Sequence, residues 1–296
     1  MKTSVNIAGV EFRNPCIAAS GTFGEASLPY VDLTKFGGVV LKGVYLESKP
    51  GNPPPRINES YSGMFNSVGL EGQGVEYFLK EVRPKFSGTN VIANVCGNTI
   101  EEYAKVAEII GTECDMLEIN VSCPNVHGGG KVFGSSADVL TRTVEAVKKV
   151  AKAPIIIKLS PNMDNLPILA KACEDAGADA ISLINTILAM DIDINTLKPF
   201  FARKFAGLSG QAIFPIALRM VCEVCESVSI PVIGLGGIAN GVDAIKMISV
   251  GATAIQIGTQ NLIEPTAIER IASEIEQIGN DKEFNDINEI KGIANG

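Results

Sequence analysis

The sequence predicts an α/β protein, a (β/α)8 TIM barrel forming one domain over residues 1–296, and two observations carry the prediction. Eight short apolar runs rich in branched residues alternate with segments of helical spacing, the pattern of buried parallel strands in βα units. Every run also carries a polar residue or a glycine at or beside its C-terminal tip, and the C-terminal strand tips of such a barrel, with their loops, build its site.

The chain opens on Val5-Asn6-Ile7 and Val10-Glu11-Phe12, which alternate apolar and polar around Ala8-Gly9 and read as a β-hairpin capping something larger. The eight strands are expected at 16–20, 39–42, 91–95, 116–120, 155–159, 180–184, 232–235 and 254–257. Helical spacing marks 101–110, 136–150, 166–176, 212–228 and 242–250. Two joins repeat, Asp-Ala-Gly-Ala-Asp-Ala-Ile at 175–181 and Ser-Val-Gly-Ala-Thr-Ala-Ile at 249–255, each a helix ended by glycine before a strand. Two connections exceed what a helix needs, 43–90 after the second strand and 185–230 after the sixth. The first holds Pro-Gly-Asn-Pro-Pro-Pro at 50–55, a stiff extended segment. Long inserts in a compact fold are usually functional, and both stand over the same barrel face, where they are expected to roof a site.

Composition narrows the class. Net charge is −8 with a pI near 4.9, and no Lys/Arg cluster appears beyond Lys148-Lys149, so a nucleic-acid backbone is a poor partner. Lys2, Asn6, Glu11 and Arg13 interrupt the first fifteen positions, unlike the apolar core of a signal peptide, and no apolar run approaches a membrane span. A soluble, cytoplasmic enzyme with no membrane attachment is the expectation. The seven cysteines are odd in number and scattered, which fits a reducing compartment better than a disulfide framework. Cys222 and Cys225 form a CxxC without a second pair or a nearby histidine, so neither a metal nor an iron–sulfur cluster is expected in this chain.

The chemistry gathers at the strand tips: Ser20-Gly21, Lys42-Gly43, Asn94, Asn120, Lys158, Asn185-Thr186, Gly236-Gly237 and Gly258-Thr259. Ordinary turn residues account for the glycines and Asn94 but not for two lysines beside buried runs. An unpaired buried ammonium is costly, so Lys42 and Lys158 each require an anionic or electron-rich partner. Gly-Leu-Gly-Gly at 234–237 and Gly-Thr at 258–259 let backbone N–H groups approach a phosphate, which suits a mononucleotide such as FMN. The apolar run 116–121 then ends in a thiol, Cys123, held between Asn120 and Asn125. Pro124 keeps Cys123 on an irregular turn, and Gly128, Gly129 and Gly130 give a loop able to move. The alternative is a thiol that merely fills the core, although such a cysteine belongs inside the apolar run.

These residues together resemble the dihydroorotate dehydrogenases, FMN-dependent (β/α)8 barrels of pyrimidine synthesis, over essentially the whole length. The resemblance rests on Ala-Ser-Gly-Thr-Phe at 19–23, Leu-Lys-Gly at 41–43, Gly-Asn-Pro-Pro-Pro-Arg at 51–56, Asn-Ser-Val-Gly-Leu at 66–70 and Asn-Val-Ser-Cys-Pro-Asn at 120–125. It extends to Ile-Lys at 157–158, Leu-Ile-Asn-Thr at 183–186, Gly-Leu-Ser-Gly at 207–210, Gly-Gly-Ile at 236–238 and Ile-Gly-Thr at 257–259. Cysteine at 123 is similar to the soluble class 1 enzymes, and the loop 125–130 to their class 1B branch. That resemblance implies a homodimer joined into a heterotetramer with an electron-transfer subunit carrying FAD and a [2Fe–2S] cluster, through which electrons reach NAD+.

It further implies FMN contacts at Ser20, Lys42, Gly43, Asn94, Asn120 and Lys158, and at Ile184, Gly210, Gly236, Gly237, Gly258 and Thr259. Dihydroorotate and its product orotate would meet Lys42, Asn66, Ser67, Val68, Gly69, Leu70, Asn120, Asn185 and Thr186. Cys123 is the implied base for the C5 proton, ahead of Ser122 and of His127, which reads as a lid residue. One departure falls at 71–74, where Glu-Gly-Gln-Gly replaces the family's usual Gln-Asn-Pro-Gly, and a lesser one is Ala206 before Gly207. A class 1A enzyme using fumarate shares most of these residues and stays open. A flavin barrel reducing tRNA uridine also uses a cysteine, but so acidic a chain fits RNA poorly. A catalytically silent scaffold would not need Cys123, Lys42 and Lys158 together.

Overall fold

The computed structural model describes residues 1–122 and 136–296. Eight parallel strands close on themselves: Cys16–Ala18, Gly38–Val40, Asn90–Val95, Met116–Asn120, Ile155–Lys158, Ala180–Leu183, Val232–Leu235 and Ala254–Ile257. Each pairs with the next in sequence, and the eighth returns to the first with Ile255 opposite Cys16. The expected barrel and its strand order are therefore the observed ones. Their side chains are almost all buried on both faces, which is why these strands read as unbroken apolar runs. Each Ile or Val so buried contributes roughly 1.5–3 kcal/mol relative to exposure, the main force holding the barrel to its helices.

The helices follow from caps and periodicity. In Ile100–Ile110 the Thr99 hydroxyl accepts from the Glu102 N–H at 3.2 Å, Glu101 and Glu102 occupy the positive end of the helix, and Gly111 ends it with φ 58°. Tyr103, Val106, Ala107 and Ile110 face inward at i, i+3, i+4 and i+7. The two repeated joins both turn on glycine in the left-handed region, Gly177 at φ 98° and Gly251 at φ 111°. The connection between the first two strands, where no helix is expected, contains the short 3-10 turns Glu25–Tyr30 and Leu33–Lys35, with Pro29 inside the first. A helix outside the expected set, Ala267–Asp281, buries Ala267, Ile268, Ile271 and Ile275 and docks where the Gly241 N–H donates to Glu274 Oε2 at 2.6 Å.

The N-terminal hairpin, Val5–Ile7 with Val10–Phe12, plugs the barrel's lower end. Phe12 is fully buried against Gly38, and Asn90 Nδ2 donates to the Glu11 carbonyl at 2.7 Å. At the upper end the two inserts do more than stand side by side. They pair into one antiparallel sheet ordered Ile187–Met190, Phe205–Ser209, Gly63–Asn66, Ile57–Ser60, with Gly207 opposite Asn66. A small core of Phe65, Phe201 and Ala206 sits under this sheet, its two rings 6.2 Å apart.

Candidate active site

Parallel closure brings the eight polar strand tips to one mouth, and just below them the interior is polar rather than apolar. Glu118, in the middle of the fourth strand, is fully buried. Its Oε1 accepts from Asn94 Nδ2 at 2.7 Å and Lys158 Nζ at 3.1 Å; its Oε2 accepts from Gln256 Nε2 at 2.6 Å and Ser182 Oγ at 3.0 Å. These partners come from the third, fifth, sixth and eighth strands. A buried carboxylate must be paired, and this one meets four donors. Lys158 in turn donates to Gln256 Oε1 at 3.3 Å, so two of its three N–H groups are engaged. The anionic partner that Lys158 requires is thus inside the chain. Sequence reasoning missed Glu118, Ser182 and Gln256, though a glutamate inside an apolar strand run is the same kind of signal as a lysine at its end.

Above this layer Asn120 Nδ2 lies 3.5 Å from Asn94 Oδ1, and the Asn120 carbonyl accepts from the Tyr103 hydroxyl at 2.7 Å. Asn120 Oδ1 also accepts from the Ser122 N–H at 3.2 Å, and Asn185 Nδ2 donates to Ser122 Oγ at 2.9 Å. The chain leaving the fourth strand is therefore tied on two sides at the residue before Cys123. Cys123 and His127 themselves lie outside the described residues.

The rim holds Lys42 and the loop Asn66, Ser67, Val68, Gly69 and Leu70. Asn52 and Arg56 of the proline-rich segment shape that loop: the Asn52 N–H donates to the Val68 carbonyl at 2.9 Å, Asn52 Nδ2 to the Ser67 carbonyl at 3.1 Å, and the Ser67 N–H to the Arg56 carbonyl at 2.7 Å. Glu71, where the chain departs from the family's usual glutamine, is bound into the same cluster. Its Oε2 meets Arg56 Nη1 at 3.0 Å and Lys42 Nζ at 3.7 Å. Asn66 Nδ2 reaches the Gly207 carbonyl at 3.5 Å, and Thr186 packs against Gly207.

On the far side three glycine turns meet. A Cβ on Gly237 would stand 2.8 Å from both the Gly210 carbonyl oxygen and the Phe214 nitrogen; one on Gly210 would stand 2.7 Å from the Gly63 Cα; one on Gly236, 2.6 Å from the Ala217 Cβ. Thr259 Oγ1 donates to Ser209 Oγ at 2.9 Å, joining the turn after the eighth strand, with Gly258, to the same place. The helix Phe214–Cys225 starts here, after the turn Gln211–Ile213, so the positive end of a helix lies at the same place, which suits an anionic phosphate. Ser20 Oγ closes the circle by donating to the Leu41 carbonyl at 2.9 Å, and Ile184 is buried beside Gly236.

Cys222 and Cys225 lie on one helix and are free thiols. Burial pushes Cys225 up to about 12, and burial with the neighbouring Glu226 raises Cys222, so neither is poised as a thiolate. Among the described residues no cluster of His, Cys, Asp and Glu could hold a metal ion, and no helix is long and apolar enough to cross a membrane.

Known proteins match the sequence of this chain over nearly all of its length. The sequence profile of the dihydroorotate dehydrogenase family matches residues 2–278. The catalytic subunit of dihydroorotate dehydrogenase B (NAD(+)) from Caldicellulosiruptor saccharolyticus is 49% identical over 299 residues, covering 100% of both chains. Subunits of the same description from Geobacter metallireducens and Petrotoga mobilis are 46% and 47% identical, over 98% of this chain and 97% and 99% of theirs. With a family match over nearly the whole chain and relatives near half identical over full length, this chain belongs to the dihydroorotate dehydrogenase family.

Proposed function

We propose that this chain is the catalytic subunit of a dihydroorotate dehydrogenase, oxidising dihydroorotate to orotate in pyrimidine biosynthesis with FMN at the barrel mouth. The observation that carries the reading is the convergence of Gly210, Gly236, Gly237 and Thr259 on one side of a mouth whose floor is Lys158, Asn94 and Asn120. A side chain at Gly210, Gly236 or Gly237 would strike neighbouring protein atoms, so these turns stay close together and bare, and among the described residues Lys158 keeps one N–H donor beyond those given to Glu118 and Gln256. These features fit a flavin mononucleotide.

FMN, when bound, supplies the acceptor for the hydride that leaves C6 of the substrate. The chain supplies the rest. Cys123, as thiolate, takes the C5 proton, so that the two hydrogens leave as a proton and a hydride and a C5–C6 double bond forms. Asn66, Asn120 and Asn185 offer paired donors and acceptors to the amide edges of the pyrimidine ring. Lys42, half-exposed at the rim, is able to exchange Glu71 for the substrate's carboxylate. Lys158 favours negative charge in the neighbourhood of the flavin.

Cys123→Ser should retain FMN and lose about 100- to 10,000-fold in the rate of flavin reduction by dihydroorotate, read by anaerobic stopped flow. Reduction at the wild-type rate would remove Cys123 as the base. The relatives' names support NAD+ as the final acceptor and a partner subunit; that the partner carries FAD and a [2Fe–2S] cluster, in a cytoplasmic heterotetramer built on a homodimer, rests on the family resemblance alone. Native co-purification decides this point: recovery of that subunit with NAD+ reduction supports it, and a lone homodimer turning over fumarate contradicts it.

A further inference from the structure

We infer that Glu118 is a positioning residue that sets the reduction potential of the bound flavin by offsetting the charge of Lys158, an inference that rests on the flavin reading above. Glu118 is fully buried, and among the described residues its hydrogen-bond partners are Asn94, Lys158, Ser182 and Gln256, none of them at the rim. A lone lysine at the floor of the mouth would present its whole charge to a bound isoalloxazine. Here a carboxylate oxygen stands 3.1 Å from Lys158 Nζ on the side away from the mouth, and Gln256 bridges the two groups, accepting from the ammonium and donating to the carboxylate. In surroundings of low dielectric such a pair is screened little by water. The field at the mouth is that of the pair, and the ammonium's direction is held by its two engaged donors.

Asn94, on the oxygen that Lys158 meets, and Ser182, on the oxygen that Gln256 meets, complete the arrangement at 2.7 and 3.0 Å. Both are neutral donors, so they stabilise the negative charge without cancelling it. The carboxylate therefore lowers the preference of the site for a reduced, electron-rich flavin that Lys158 by itself would create. Lys42 does not share this role, because its partner Glu71 is at the rim and half-exposed.

The test uses the full chain loaded with FMN, its midpoint potential measured by equilibration with redox dyes. Glu118→Gln keeps the shape and removes the charge. It should favour the reduced flavin by tenfold or more, a rise of about 30 mV for a two-electron couple. Ser182→Ala removes one neutral donor from the carboxylate with little change of volume, and should move the potential the other way by a smaller amount, about twofold to threefold in the same equilibrium. Glu118→Asp keeps the charge and should restore most of the wild-type potential. A Glu118→Gln potential within twofold of wild type overturns the inference, as does a Ser182→Ala shift of the same sign as Glu118→Gln. If Glu118→Gln does not fold, the direction of the Ser182→Ala shift decides alone, an absent or upward shift overturning the proposal. Wild-type protein that binds no FMN would instead sink the flavin reading itself, which separates the two failures.

Discussion

The two lysines that line the mouth each hold a carboxylate, yet they occupy opposite physical regimes. Lys158 and Glu118 have side-chain exposures of 6% and 0%, whereas Lys42 and Glu71 stand at 52% and 45%. The interior pair is locked by Gln256, Ser182 and Asn94, and its worth lies in a fixed field. The rim pair is longer, 3.7 Å against 3.1 Å, is open to water and is shared with Arg56, so it can exchange partners at small cost. A site that must both hold a cofactor steadily and admit an anionic substrate has use for one lysine of each kind.

The contrast can be broken most forcefully in the interior. Lys158→Met should cost about 3–5 kcal/mol in urea unfolding, because it leaves Glu118 buried without its counter-charge. A loss below about 1 kcal/mol would mean that the interior pair behaves like a surface one. The next effect in size concerns the cradle between the two regimes. Gly237→Ala places a Cβ 2.8 Å from two backbone atoms at φ 76°, and should weaken FMN binding by about 1–3 kcal/mol in a fluorescence titration. The smallest belongs to the rim. Glu71→Gln should change unfolding free energy by less than about 1 kcal/mol, while lowering the KM for dihydroorotate as Lys42 loses its competing carboxylate. Added salt should narrow that KM difference and leave the Lys158→Met penalty nearly intact, since screening reaches only the exposed pair.

Much of this architecture was legible in the linear sequence because its signals are local. Apolar runs, glycine-ended helices and polar strand tips each occupy a few neighbouring residues, and parallel closure then brings the tips together without further information. The inserts were legible only as a roof. Their strands are short, and Gly63–Asn66 shows no alternation, three half-buried residues around buried Phe65, so nothing in that stretch announces pairing with Phe205–Ser209. The partner of Lys158 was hidden for a related reason. Glu118 is 40 positions from Lys158 and 138 from Gln256, and only barrel closure turns those separations into hydrogen bonds. Its charge sat inside an apolar run and was absorbed into the strand. Glu71 stood out as a departure from the family pattern, and its contacts with Lys42 and Arg56 explain how the altered loop keeps its place.

On the proposed function, one mouth binds a flavin and passes it the electrons of dihydroorotate. Anaerobic titration of the FMN-loaded protein with dihydroorotate addresses it directly, through the visible absorbance of the flavin and the orotate released. Bleaching should be complete near one equivalent per chain, with orotate formed in equal amount. Flavin that stays oxidised in excess dihydroorotate would contradict it.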